Sequence, residues 1–272
     1  MGLVVADLGL VGIDMPLRIG TVSYLNSVPL NEGLYDHPEV DLRQYVPSRL
    51  ARELADGTVD VGLVPVVEAL RHGGYRIFPD AAIGCVGEVL SVKLFSNVPL
   101  ADIRSVRLDP SSRTSNALTR VLLEGTYALS PRYLNADHPD QPADATVIIG
   151  DPVLRRTEKA HAELDLGQAW YDATGLPFVF AVWVGRPEAA TTHAAHILAE
   201  SKRVGVKNID AIATREAAAR DLDADLCRRY LREHICFDLA EAQQAGIKWF
   251  ATLAAEHGLL SGAAPDVDGM FL

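Results

Sequence analysis

The chain has 272 residues, 49% of them hydrophobic and 22% charged, and a formal net charge of −11 at pH 7. That length buries one large core or two ordinary ones, and two lobes is the expected division. An acidic chain without basic runs excludes nucleic acid as a partner, and no stretch approaches the roughly 18 apolar residues of a membrane span.

The opening MGLVVADLGLVGIDMP is apolar but carries Asp7 and Asp14, with no Lys or Arg ahead of its apolar run. A secretory signal has the opposite charge pattern, so residues 1–16 read as an N-terminal extension. Cys85, Cys227 and Cys236 are odd in number and show no metal-ligand spacing. A reducing, cytoplasmic compartment is expected, with the thiols as filler and no metal site.

From Leu17 the pattern alternates strand and helix. LRIGTV is a short strand ending in polar SYLN; VDLRQYV alternates; PSRLARELADG is a helix with Pro in its first turn and Gly at its end. VDVGLVPV is nearly continuous in apolar residues, as in a parallel strand buried on both faces. A second set follows: VRLD, a helix opened by DPSSRTSN, the strand ATVIIGD, the helix DLGQAWYDATG and the long strand PFVFAVWVG. Beyond Pro187 come Ala-rich amphipathic helices that read as scaffold.

This alternation predicts an α/β architecture. No Gly/Ser linker parts the two sets, so the connections are expected to be strands, with VLSVKLFSN going out and PFVFAVWVG coming back. The first lobe is then discontinuous, and a ligand belongs in the cleft beyond the carboxyl ends of the strands.

In that arrangement the residues that matter lie just after strands and at helix starts. SYLN offers Tyr24 and Asn26, in what is otherwise a turn leading to a helix start at Pro29. Glu68, early in a helix, complements the macrodipole. Ser91 is polar among apolar neighbours on the outgoing strand, at the hinge of the cleft. Ser112, Arg113, Thr114 and Ser115 crowd donors at one helix start, more than capping requires. Asp151 reads as the cap of the helix PVLRR, with ligand contact as the alternative, and Asp165 as the cap of LGQAW. Trp170, Tyr171, Phe178, Phe180 and Trp183 are enough aromatics to line a cleft wall, with core packing the default expectation. His193 and His196 stand three apart without a third ligand. No nucleophile elbow, dinucleotide fingerprint or phosphate loop appears. The expected site binds a small anion.

SYLNSVPL, LADGTVDVGLVPVVE, SVKLFSN, LDPSSRTSNALTRVLL, VIIGD and DLGQAWYDATGLPFVFAVWV together resemble the chorismate dehydratase family of the futalosine route to menaquinone. The resemblance runs from about Leu17 to Gly185. It implies a two-lobed fold like the type II periplasmic solute-binding proteins, with mixed, mostly parallel sheets and a ligand cleft between lobes. The implied division is 17–92 plus 183–272 for the first lobe and 93–182 for the second. It implies loss of water from chorismate to give 3-[(1-carboxyvinyl)oxy]benzoate, with no cofactor. The ligand-facing positions carried over are Asn26, Ser91, Ser112, Arg113, Thr114 and Ser115. Pro152, where the family commonly has Ala, and the N-terminal extension depart from the pattern.

A paralogous dihydroxynaphthoate-forming enzyme of the same pathway shares the fold, but SYLN, SSRTS and TGLPFVFAVW look like the dehydratase. A non-catalytic solute-binding protein is the alternative from another class. It normally needs export. The donors of Ser112, Thr114 and Ser115 would hold substrate carboxylates; Arg113 either grips one or turns outward into an ion pair. No general base stands out. The substrate's own enolpyruvyl carboxylate, held by Asn26, is the first candidate, and Asp151 the reserve. Monomer and homodimer are both open.

Overall fold

In the computed structural model, residues 16–135 and 141–272 are described; the expected extension 1–16 lies almost wholly outside them. β1 (Leu17–Thr21) feeds a 3₁₀ turn, Leu25–Ser27, and the short helix α1 (Val28–Asn31), with Pro29 in its first turn. β2 (Val40–Gln44), α2 (Pro47–Ala55), β3 (Val61–Pro65) and α3 (Val66–Arg71) follow as the periodicity predicts. β3 is buried from Val61 to Val64, which is why its sequence does not alternate. β4 (Arg76–Cys85) completes this run.

The second run contains β5 (Val92–Ser96), β6 (Ser105–Arg107), α4 (Arg113–Arg120, extended by a π-helical turn to Thr126), β7 (Arg132–Leu134) and β8 (Ala145–Ile149). It continues with α5 (Asp151–Leu154), β9 (Ala162–Asp165) and α6 (Leu166–Thr174), closed by Gly175 in the left-handed region. β10 (Phe178–Gly185) returns the chain, and α7 (Thr192–Lys207), α8 (Ile209–Arg220), α9 (Ala224–Arg229) and α10 (Glu241–Glu256) form the helical tail.

Two five-stranded sheets result, ordered β2-β1-β3-β10-β4 and β7-β6-β8-β5-β9. In the first, β10 runs against both neighbours while β1 is parallel to β2 and β3. In the second, β5 runs against β8 and β9 while β6 is parallel to β7 and β8. Four strands of each sheet thus share a direction, and the reversed strand is the one that arrives from the other sheet.

β4 and the short β7 and β9 were not marked in the strand pattern. Pro79 and Asp80 make the β4 segment look like a turn, and Asp80 has φ = +70°. An edge position tolerates both, because Pro there costs no ladder bond, and the register against β10 shifts around them. Phe271 and Cys236 form isolated bridges to Ile77 and Gly84 of this strand.

The tail is bound closely to the first sheet's side. The Ser201 hydroxyl donates to the Leu30 carbonyl at 2.7 Å and accepts the Gly33 N–H at 3.0 Å. Gly205 lies so near that a Cβ would stand 1.8 Å from the Pro29 carbonyl oxygen, which requires glycine at this crossing. Trp170, Phe178 and Phe250 meet edge to face, joining α6, β10 and α10. The core expectation thus holds for Trp170, Phe178 and Trp183, whereas Tyr171 is exposed. Cys85 and Cys227 are buried free thiols.

Asp165 caps α6 as expected, accepting the Gly167 and Gln168 N–H groups at 3.0 Å each. Its second task is tertiary. The same carboxylate accepts the N–H of Val89 at 3.1 Å and of Leu90 at 2.9 Å, fixing the segment that crosses between sheets. Leu90 sits there at φ = +66°. Burial pushes the Asp165 pKa up, against the pull of these donors.

Candidate active site between the sheets

The strand ends of the two sheets face a cleft with about 590 Å³ of empty space. Leu63, Pro65, Ile83 and Phe180 give it an apolar wall from the first sheet, and Ser111, Ser112, Thr114 and Ser115 a polar wall from the start of α4. An apolar pocket with a few convergent polar groups suits an organic anion that has a ring.

Each hydroxyl of the polar wall has its own placement. Ser112 is the N-cap of α4, its Oγ accepting the Ser115 N–H at 3.2 Å. Thr114 Oγ1 accepts the Val67 N–H at 3.3 Å, reaching the first turn of α3. Ser111 accepts from the Tyr24 hydroxyl at 3.0 Å and donates to Asp109 at 2.5 Å. Ser115 is almost wholly buried and lines the cleft. The positive end of α4 is therefore presented to the cleft among hydroxyls, a favourable setting for a carboxylate in an acidic protein.

Tyr24 and Asn26 line the facing side. The Tyr24 ring is packed against Gly150, the N-cap of α5, which has φ = +71° and ψ = −149°. A Cβ at that position would stand 2.8 Å from the ring, so glycine is required both by conformation and by contact. Burial pushes the Tyr24 phenol up from its ordinary pKa.

The geometry decides or changes four expectations. Arg113 is not among the cleft-lining residues: its guanidinium pairs with Glu68 Oε2 at 2.6 Å, the outward alternative. Glu68 is 3% exposed and also holds Arg71 at 2.9 Å, so it joins α3 to α4 rather than only facing a helix dipole. Asp151 is not the cap of α5 but its first residue. Its Oδ1 accepts the Leu25 N–H at 3.1 Å and its Oδ2 pairs with Arg220 at 2.6 Å, so both oxygens are turned to protein partners. Ser91 immediately precedes β5 and is fully buried one layer behind the wall, with Oγ 2.7 Å from the Tyr230 hydroxyl.

Ser111 and Gly150 line the cleft without being sequence candidates, and Phe180 takes the cleft-wall alternative to the core. Ser111 belongs to the same hydroxyl cluster and was within reach of that argument. Gly150 ends the VIIG strand, where a glycine before a helix is common. Tyr230 lies in the tail, far in sequence from the Ser91 hydroxyl that it touches. Among the described residues, no group of three His, Cys, Asp or Glu side chains converges as a metal site would require.

The fold and cleft define a two-lobed α/β protein of the periplasmic-binding-protein type. Solved structures share this fold: a protein from Archaeoglobus fulgidus (TM-score 0.69, 16% identity, 89% of this chain and 98% of that one) and the periplasmic aliphatic sulphonate binding protein of Escherichia coli (TM-score 0.65, 16% identity, 94% and 92%). Identities this low speak to fold alone. The sequence model of the family described as menaquinone biosynthesis matches residues 17–256, and the chain belongs to that family. It is 31% identical over 258 aligned residues to the chorismate dehydratase of Thermus thermophilus, covering 87% of this chain and 94% of the relative. Against the chorismate dehydratase of Campylobacter jejuni it is 29% identical over 239 residues, covering 85% and 94%.

Proposed function

We propose that this chain is a hydro-lyase that converts chorismate to 3-[(1-carboxyvinyl)oxy]benzoate and water in the cytoplasm, on the futalosine route to menaquinone. The observation that carries the reading is the convergence of Asn26 with Ser112, Thr114 and Ser115 on one cleft. The near full-length likeness to two chorismate dehydratases supports it. Because β10 (Phe178–Gly185) belongs to the first sheet and β5 begins at Val92 in the second, the working division moves from the expected 17–92 plus 183–272 and 93–182 to 17–91 plus 178–272 and 92–177.

Chorismate carries a ring carboxylate, an enolpyruvyl ether with its own carboxylate, and a hydroxyl beside the ether carbon. Loss of the proton at the ether carbon sends its electron pair through the ring double bond toward the ring carboxylate. Return of that pair expels the neighbouring hydroxide, which takes up the proton abstracted from the ether carbon, passed on by the base, and leaves as water, and the ring becomes aromatic. The site must hold two carboxylates and stabilise charge arriving on one. The start of α4 and its hydroxyls are placed for the second task, each well-aimed donor contributing about 3 kcal/mol in a dry site. The apolar wall excludes water from the ring.

The base in this reading is the enolpyruvyl carboxylate, held by the Asn26 amide within reach of the ring proton, where proximity replaces basicity. Asp151, engaged by Leu25 and Arg220, organises the Asn26 turn from behind. Asp151→Asn, which keeps an acceptor for the Leu25 N–H, is expected to retain turnover within about tenfold. Near-total loss of kcat with chorismate binding intact would restore Asp151 as the base. The function itself is tested by incubating the purified protein with chorismate: an aromatic product one water lighter is expected, and unchanged chorismate would overturn the assignment.

A further inference from the structure

Tyr24 spans the cleft. It follows β1 of the first sheet, and its hydroxyl donates at 3.0 Å to Ser111 Oγ, on the loop between β6 and α4 of the second. Both side chains line the cleft, so the bond joins its two walls directly.

Each end of this bridge is itself held. On the second sheet's side, the Asp109 N–H donates to Asn116 Oδ1 at 3.0 Å and Asn116 Nδ2 donates to the Asp109 carbonyl at 2.7 Å, which fixes the loop to α4. Asp109 Oδ1 accepts the Ser111 N–H at 2.8 Å and the Ser111 hydroxyl at 2.5 Å. A carboxylate only accepts, so the single Ser111 hydroxyl proton is spent there and the oxygen meets Tyr24 as an acceptor. On the first sheet's side, the Tyr24 carbonyl accepts the Ser27 N–H at 3.0 Å and the Ser27 hydroxyl at 2.7 Å, closing the turn that carries Asn26. Other ties run elsewhere: Thr114 and Arg113 join α4 to α3, and Asp151 joins the turn to α5. Asn26 on one wall and the start of α4 on the other are the groups assigned to the two carboxylates of chorismate. The Tyr24–Ser111 bond links those two groups directly.

We propose that Tyr24 is a positioning residue: its bond to Ser111 fixes the span between Asn26 and α4, so that both carboxylates of one substrate are held at once. The inference rests on the chorismate reading. Tyr24→Phe keeps the ring against Gly150 and removes the hydroxyl; Ser111→Ala removes the acceptor. With turnover compared at equal folded fraction by circular dichroism, each is expected to lower chorismate kcat/KM at least about tenfold, since misplacement by about 1 Å costs up to about 100-fold. The double variant is expected to lie within about twofold of the worse single one, because the same bond is lost in all three. Carboxylate count separates positioning from a structural role. As competitive inhibitors of the remaining turnover, the product carries both carboxylates and 3-methoxybenzoate only the ring carboxylate. In Tyr24→Phe the inhibition constant of the product is expected to rise at least about tenfold, and that of 3-methoxybenzoate to stay within about twofold, because two-point binding alone depends on the span. A merely structural tyrosine would weaken both inhibitors alike. Single variants that match the unchanged protein, additive losses in the double variant, or equal weakening of the two inhibitors would overturn this inference alone. Absence of turnover by the unchanged protein would overturn the chorismate reading and this inference with it.

Discussion

Asn26→Ala is expected to lower chorismate turnover by about 10²–10³-fold, the cost of removing one preorganised donor from a charge-developing site. The side chain lines the cleft, half-buried, on a turn held from behind by the Leu25 N–H to Asp151 bond and by the Ser27 hydroxyl on the Tyr24 carbonyl. Those anchors belong to other groups, so the turn itself survives the substitution. Steady-state kinetics checks this, with the unfolding midpoint as control: kcat collapses while the midpoint moves by no more than a few degrees, the scale of a roughly 1 kcal/mol change. If kcat instead stays within threefold, Asn26 does not hold the proton-accepting carboxylate.

Asp165→Ala is expected to cost the fold about 3–5 kcal/mol. Loss of a helix cap accounts for about 1–2 kcal/mol, and the Val89 and Leu90 N–H groups left without acceptors add about 1 kcal/mol or more each. Against a total stability of about 5–15 kcal/mol, that is enough to populate the unfolded chain at modest urea. Asp165→Asn, which keeps one acceptor oxygen, is expected to recover about half of the loss. Urea titration measures both variants. A cost near 1 kcal/mol for Asp165→Ala would mean that the carboxylate serves only α6 and that the crossing segment is held by other contacts.

Asp165 also shows how far residues speak for themselves. Its capping role is local, three residues from its partner Gln168, and the sequence pattern marks it. Its hold on Val89 and Leu90 spans more than seventy positions, and no periodicity carries that. The same divide runs through the site. A capped helix start and the surplus of hydroxyls at α4 were legible, because helix starts have short-range rules. Which hydroxyl caps, which bridges to Val67 and which faces the cleft depends on the closeness of α3 and Tyr24, set by packing. Arg113 and Asp151 show alternatives that only packing decides. A charged residue at a helix start can serve a ligand, a cap or an ion pair, and a buried Glu68 and the distant Arg220 claim these two, since a desolvated charge must find a partner.

The strands followed a similar logic. β3 and β10 announced themselves as unbroken apolar runs, because both are interior to their sheet. β4, at an edge, was free to carry Pro79 and a left-handed Asp80, and those residues disguise it. Tyr230 had no local signal. It sits in a helical tail whose composition reads as scaffold, and only the fold brings it to Ser91.

The central claim is that the cleft both binds chorismate and dehydrates it. The most direct measurement is a paired one on the purified protein: calorimetric binding of chorismate to Asn26→Ala beside product formation by the unchanged chain. The account predicts that the unchanged chain yields an aromatic ether one water lighter than chorismate, while Asn26→Ala still binds chorismate and scarcely converts it. Tight binding of chorismate without conversion by the unchanged chain would contradict the account and make this a small-anion binding protein.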